Sequence, residues 1–417
     1  MSYQLLKCIV CGSPEVEEYL YLGEQPHANS YRKSTDISLP TIPLHVGVCT
    51  DCWHSQLLST MSPSTMFEDY IYVSGTSNTL VEYFHWYAKK TREIYLANAK
   101  EYPGKIRVLE IACNDGTLLE NYKKLGCETL GVDPAKNLVK LCEDKGLTVI
   151  PDYWNTDLSK RVTEKFDMVV AVNVLPHVPD PYDFLLACKS VLATGGKIFI
   201  QSSQCDMFSN NEFDAIYSEH FSYFTANSFR TLVDRVGLTI IEATKIPIHS
   251  MSYFWVLSAD SRPTVNSVGK IVKKDHCEGY YMIRKDEELK GLYGRTCYKE
   301  FKSTALNTIQ KLRKIVEGET NVIGYGSSAK WNTIANAGRI ELPVIIDDNP
   351  MKVGLYTPGV NSKVVSIDYL NNYKDKPVTI ICTAWNFYDE IKSKIQAYNL
   401  FNVKLVKYFP EVFIEQL

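Results

Sequence analysis

Residues 108–120 read Val-Leu-Glu-Ile-Ala-Cys-Asn-Asp-Gly-Thr-Leu-Leu-Glu, a short apolar strand that meets a glycine turn and runs on into an amphipathic helix. A second apolar run, Glu128–Val132, stops at the acidic Asp133. Strand, glycine turn, helix and acidic strand end form a Rossmann-like unit, which presents ligands at the carboxyl ends of parallel strands. The alternation continues on both sides. A helix is expected from Thr79 to about Lys100, ending before Tyr102-Pro103-Gly104, then a strand at Arg107–Ile111 and a helix at Gly116–Leu125. Strand Glu128–Val132 and helix Asn137–Lys145 follow, with further strands at Val149-Ile150, Met168–Val172 and Lys197–Gln201 and a helix across Tyr182–Leu192. Such alternation predicts a doubly wound parallel sheet, with Thr239–Thr244 and Tyr253–Ser258 as late edge strands. Residues 61–78 lack periodicity and read as a tyrosine- and hydroxyl-rich connection with exposed polar side chains.

A charged helical stretch from about Gly269 to Glu317 leads into a second βα unit. Asn321–Lys330 is strand, glycine turn and helix start, and Val344-Ile-Ile-Asp347 places another acidic strand end 23 residues after Gly324. Later strands are expected at Val378–Cys382 and Val403–Val406.

The first turn holds Asn114-Asp115-Gly116 where a dinucleotide site would hold Gly-x-Gly-x-x-Gly. A carboxylate there repels a diphosphate, so the ligand is cationic or neutral at that point. S-Adenosylmethionine has an ammonium, a sulfonium and ribose hydroxyls that need an acidic acceptor such as Asp133. Glu110, Asn114, Asp115 and Gly116 are its candidate contacts, with Asp152 after the third strand and Asn173 after the fourth; His177 lies nearby. Some of these residues could serve only as helix caps, Asp115 first among them. The reading is a methyltransferase. The second turn, Gly324-Tyr-Gly-Ser-Ser-Ala-Lys330, suits a phosphate cradle; its pattern allows NAD with Asp347 on a ribose, or a sugar nucleotide diphosphate.

After the fifth strand comes Tyr217-Ser-Glu219-His220-Phe-Ser-Tyr223-Phe224. Tyr, Glu and His together offer a base, a carboxylate to orient it and a phenol for an oxyanion. Methyl transfer to oxygen or nitrogen needs at most one base. Transfer to carbon needs a proton α to a carbonyl to leave first, and this crowd suits that task better. The alternative is an aromatic core segment with a satisfied histidine.

At the N-terminus, Cys8-x-x-Cys11 and Cys49-x-x-Cys52 stand 37 residues apart. Two such knuckles make a closed four-thiolate zinc site, structural because no coordination position stays open. Few apolar residues lie between them, so metal binding would supply folding energy; two disulfides or coincidental thiols are the alternatives. His54 is read as a solvent-exposed histidine, not a fifth ligand. The other eight of the twelve cysteines are scattered singly, mostly in apolar segments, as buried thiols are.

At 417 residues, two or three domains are expected. A net charge of −3 gives no basic field for a nucleic-acid polymer. No apolar run reaches the ~20 residues of a membrane span, and the N-terminus lacks a signal-peptide layout, so a cytoplasmic protein is expected.

Taken together the segments resemble the sugar-nucleotide C-methyltransferases, zinc-containing enzymes that use S-adenosylmethionine to methylate carbon 3 of 4-keto-deoxysugars. The shared features are the four-cysteine domain, the Asn-Asp-Gly turn and Tyr-x-Glu-His. To these are added Gly-Tyr-Gly-x-x-x-Lys-x-Asn-Thr, Asp347-Asp-Asn-Pro-x-Lys-x-Gly354 and Ala384-Trp-Asn-Phe387. The resemblance implies an α/β chain of three parts: a zinc-binding domain (1–60), a class I methyltransferase domain (61–268), and a helical segment plus Rossmann-like sugar-nucleotide domain (269–417). It implies His220 as the base at carbon 3, supported by Glu219 and Tyr217, with Tyr72 also in the catalytic pocket. Substrate contacts would come from Tyr70, Tyr72, Ser77, Tyr223, Gly326, Ser328, Lys330, Asn332, Trp385 and Asn386, the diphosphate lying near Lys330. Ser218 stands where members often carry a second histidine, which leaves the His220 base intact, breaks any two-histidine relay and points to a different sugar. Ala112-Cys113 replace smaller residues without blocking the cofactor. The competing readings are an O- or N-methyltransferase of sugar nucleotides, an NAD-dependent oxidoreductase and a non-catalytic sugar-nucleotide-binding module. A monomer is expected, since three domains in one chain need no partner.

Overall fold

The computed structural model of the chain describes residues 2–68, 70, 72–99, 104–260, 264–265, 271–272 and 276–417. The expected helix end at Lys100, the Tyr102-Pro103 stop and the Gly269 boundary lie outside the described residues.

The long helix is Asn78–Asn98, started by Ser77, whose hydroxyl accepts from Leu80 N. It covers one face of a seven-stranded sheet whose order is Thr239–Ile246, Ser252–Ser258, Leu192–Ser202, Phe166–Val172, Arg107–Ile111, Glu128–Val132 and Val149–Ile150. All neighbouring pairs are parallel except those made by Ser252–Ser258. Val108, Leu109, Val169, Val170 and Ile198–Ile200 are wholly buried, the continuous apolar run of strands covered on both faces. Strand order reverses between Arg107–Ile111 and Phe166–Val172, and that switch point opens a crevice at their carboxyl ends.

The C-terminal sheet has six strands, ordered Lys363–Val365, Val344–Ile346, Val322–Tyr325, Val378–Cys382, Val403–Lys407 and Phe413–Gln416, the last antiparallel. Of the two intervening helices, Glu278–Leu289 packs Tyr280 and Ile283 into the core of the central sheet. Arg295–Gly318 packs Tyr298, Phe301 and Leu312 with the C-terminal unit and the N-terminal sheet.

The N-terminal unit is an antiparallel sheet of Val16–Pro26, Thr41–Cys49 and Ser55–Leu57, extended by Ser222-Tyr223 of the central domain. Leu20, Leu44, Val46 and Leu57 are buried in a core shared with Phe301, Trp331 and Tyr408. This unit has apolar residues enough, but they serve a joint core. No helix among the described residues is long and apolar enough to cross a membrane.

Candidate active site

Four sulfurs close the N-terminal unit. Cys8 and Cys52 Sγ are 3.5 Å apart, Cys11 and Cys49 Sγ 3.6 Å, and all four lie within 4.8 Å of one another. Tetrahedral zinc with bonds of ~2.3 Å separates its thiolates by roughly 3.8 Å, so the cluster fits that ion as a closed structural site. His54 is corrected: it is wholly buried, its ring tilted against Phe224 with centroids 4.8 Å apart, and burial drives its pKa down to about 3.

In the crevice, Asp133 ends its strand in a buried position. Its Oδ2 accepts from Asn114 N at 2.8 Å and its Oδ1 from Ala135 N at 2.9 Å, which leaves each oxygen a further lone pair. Burial lifts its pKa to about 6 against those two hydrogen bonds. Glu110 is buried with Oε2 unpartnered, and burial, together with Cys142, Asp115 and Asp133, holds its carboxyl well above the usual range. An orphaned buried carboxyl beside a second one fits a ligand with a cationic end and donor hydroxyls. Asn173 (φ +54°) accepts from Gln201 and Ser203 N through Oδ1, leaving its Nδ2 for the crevice. Asp115 accepts from the Thr117 hydroxyl and, through its backbone O, from Lys145, while Gly116 is the N-cap of the helix, and Asp152 pairs with Arg161 at 2.5 Å on the rim.

Residues 70 and 72–77 cross over this turn as a strap, with Ser74 buried and Tyr72, Gly75 and Thr76 exposed as expected of the connection. Asn114 Oδ1 accepts from Ser74 N and its Nδ2 donates to Tyr72 O, both at 3.0 Å. Asn137 makes the same two-point clamp on Tyr70, accepting from its N at 3.2 Å and donating to its O at 2.8 Å. A Cβ on Gly75 would strike the Asp115 carboxylate. The Asn114 side chain therefore holds the strap, and Tyr70 and Tyr72 are carried over the cofactor crevice.

His220 stands behind Tyr217. Its Nδ1 is 2.6 Å from Ala215 O, which fixes the proton there and leaves the Nε2 lone pair to accept from Tyr217 OH at 2.9 Å. The Gln204 amide lies 2.8 Å from the same Nδ1. His177 meets the ring edge to face at 4.6 Å. Burial, then His177 and more weakly Lys330, push the His220 pKa well below 6.5 against the Ala215 hydrogen bond. The imidazole is neutral and able to accept a proton.

Glu219 does not touch His220. Its partners are Asn29 at 2.5 Å, His27 at 3.0 Å and Tyr70 OH at 3.0 Å. Sequence reasoning missed His27 and Asn29, because nothing in a loop between two zinc knuckles signals contact with residue 219.

The C-terminal turn is braced by hydrogen bonds from within the chain. Asp347 accepts from Ser327 N and Asn349 N, while Tyr31 OH (2.6 Å) and Lys352 Nζ (2.7 Å) both donate to Ser327 O. A Cβ on Gly326 would strike Ala384, so that glycine serves strand packing. Ser328 caps the next helix, Asn332 donates to Ala28 O, Ser77 caps the long helix, and Tyr223 is buried in the joint core. These four have structural work. Trp385 donates to Asp214 at 2.7 Å and packs on Phe409. Lys330 lies 4.7 Å over the Trp385 ring with Asn386 at 3.5 Å, its charge lowering His220 and His249.

A seven-stranded sheet of this order, with an acidic crevice and a closed thiolate cluster, defines an S-adenosylmethionine-dependent methyltransferase with a structural zinc. The family model of a methyltransferase domain matches residues 83–243, that of a zinc binding domain 8–67, and that of a C-methyltransferase C-terminal domain 268–410. The C-methyltransferase NovU of Streptomyces niveus is 25% identical over 400 residues, 92% of this chain and 91% of that one. A ubiquinone biosynthesis O-methyltransferase of Xanthomonas oryzae pv. oryzae (strain PXO99A) is 38% identical over 101 residues, 23% of this chain and 42% of its own length. Among solved structures, magnesium protoporphyrin IX methyltransferase (ChlM) from Synechocystis PCC 6803 with bound SAM is 13% identical, with a TM-score of 0.32 over 42% of this chain and 78% of that one. The zinc binding, methyltransferase and C-methyltransferase C-terminal models follow one another along the chain, and the similarity to NovU spans 92% of it, which supports the resemblance to the sugar C-methyltransferases.

Proposed function

We propose that the chain methylates carbon 3, beside the ketone, of a nucleotide-linked 4-keto-deoxysugar. The observation that carries this reading is His220, a buried neutral imidazole whose only lone pair is aimed at the Tyr217 hydroxyl at the ligand end of the sheet. A methyl transfer to oxygen or nitrogen has no need of so protected a base.

S-Adenosylmethionine supplies an electrophilic methyl group. The chain's residues prepare the carbon that takes it. The C–H at carbon 3 replaces the Tyr217 hydroxyl at Nε2, and His220 takes that proton while the electron pair moves to the ketone oxygen. Displaced from Nε2, the Tyr217 phenol donates to that oxygen. Burial and Glu219 raise its pKa well above 10, so it stays a protonated donor. Tyr72, half exposed at 48%, stands where a second phenol can reach the sugar. Lys330 brings the positive charge of the C-terminal unit to the same space and suits an anionic group of the nucleotide. The enolate carbon then takes the methyl, and the proton on His220 passes to solvent.

A panel of 4-keto sugar nucleotides in deuterated water tests the reading by mass spectrometry. Expected are exchange beside the ketone without methyl donor and a gain of one methyl on carbon with it. Methylation without exchange, on oxygen or nitrogen, would overturn the carbon assignment.

A further inference from the structure

The loop that leaves strand Val16–Pro26 of the zinc unit, residues 25–32, faces two ways. Gln25, Ala28, Tyr31 and Arg32 bond to the C-terminal unit at Thr333, Asn332, Ser327 and Thr357. His27 and Asn29 turn inward and end on Glu219. Asn29 Nδ2 donates to Oε1 at 2.5 Å. His27 Nε2 stands 3.0 Å from the same oxygen, off the line of a ring N–H. His27 Nδ1 is in turn 3.2 Å from Ser30 Oγ. The other carboxylate oxygen accepts from Tyr70 OH at 3.0 Å. Glu219 is wholly buried and His27 nearly so.

We infer that His27 and Asn29 are positioning residues of the active site, which keep the buried Glu219 ionised and thereby fix Tyr70 and support proton uptake at the His177–His220 pair. A buried carboxylate without partners takes up a proton to avoid the cost of desolvation. Glu219 faces His27 and Asn29 from the arm, Tyr70 from the strap, His177 from the loop after the fourth strand, and Tyr217 on its own segment. Burial pushes its carboxyl up; His27, His177 and Asn29 outweigh burial and hold it below the usual value. An ionised Glu219 keeps the Tyr70 proton directed at Oε2, which turns the phenol's lone pairs toward the crevice. Burial lowers the His177 pKa, and the Glu219 charge works against that burial. The zinc unit thus supplies part of the active site.

The kinetic arm of the test rests on the proposed carbon methylation; the spectroscopic arm does not. In His27→Gln and Asn29→Ala, turnover should fall ten- to a hundredfold with KM nearly unchanged, and the acid limb of kcat should move to higher pH. Thermal midpoint and S-adenosylhomocysteine affinity report on folding. In Asn29→Asp, which keeps the shape of the side chain, two carboxyls share one site and should hold one proton between them. Infrared difference spectra with 13C-labelled glutamate should show no protonated Glu219 carboxyl at pH 7 in wild type. That band should appear in the Asn29→Asp and His27→Gln proteins and vanish in their Glu219→Gln derivatives. Wild-type turnover and pH limb in folded His27→Gln and Asn29→Ala would reduce the arm to a structural joint. A protonated Glu219 in wild type, or an ionised one in both variants, would overturn the inference even if no keto sugar proves to be a substrate.

Discussion

His220 draws its usefulness from what surrounds it. With Nδ1–H donated to Ala215 O, the ring presents its Nε2 lone pair to Tyr217, and burial keeps it neutral. His220→Ala should lower turnover by roughly 100- to 10,000-fold while leaving both ligands bound, and should abolish deuterium exchange beside the ketone. Its pKa is depressed, so the base form persists below the ordinary histidine value. The acid limb that His220 contributes to kcat/KM should therefore lie below pH 6.5. Asp133 acts in the opposite direction. If Asp133 accepts the two ribose hydroxyls as proposed, its carboxyl, lifted to about 6, does so ionised, and cofactor affinity should weaken as pH falls through about 6. Asp133→Ala should cost about 1.5–3 kcal/mol, roughly ten- to a hundredfold in affinity by calorimetry. Unchanged affinity would place the donor elsewhere.

At the scale of elements, the strap is the least ordinary piece. It has no ladder of its own, so its backbone groups must find partners elsewhere. Two asparagines meet that need, Asn114 of the first glycine turn and Asn137 of helix Lys136–Asp144. Asn137→Ala removes two hydrogen bonds worth about 0.5–1.5 kcal/mol each, so KM for the sugar nucleotide should rise about tenfold or more while S-adenosylhomocysteine binds as before. An unchanged KM would mean that Tyr70 and Tyr72 are held by packing alone. The same contrast decides what the sequence disclosed. Strands such as Arg107–Ile111, Glu128–Val132 and Val378–Cys382 match their expected bounds because a two-sided apolar run has few other ways to be buried. The strap carries no period, and its order comes from contacts tens of residues away. The small polar residues of the C-terminal turn are ambiguous for a related reason: Ser328 is as good a helix cap as a phosphate ligand, and the sequence does not show that its side chain accepts from Trp331 N.

Across the whole molecule, the zinc unit is fastened to both larger units, and residues 25–32 carry the fastening. Four thiolates hold the two knuckles at its base, with Cys8 Sγ and Cys52 Sγ 3.5 Å apart. The strand Val16–Pro26 runs from there to Gln25, whose amide reaches Leu22 O and Thr333 O. The metal's binding energy is folding energy for this sheet, because the thiolates repel one another without the ion. Freshly purified protein should hold one zinc per chain. Cys11→Ser should bind zinc more weakly and lower the first thermal transition by more than about 5 °C. Loss of the metal should also loosen His27 and Asn29 from Glu219, so turnover should fall at temperatures where the central sheet is still folded and S-adenosylhomocysteine still binds. Removing zinc with a chelator while following circular dichroism, cofactor calorimetry and turnover separates these effects. Turnover lost well before the sheet unfolds is the expected result. A zinc-free protein with full turnover would show that the arm keeps its place through the joint core alone.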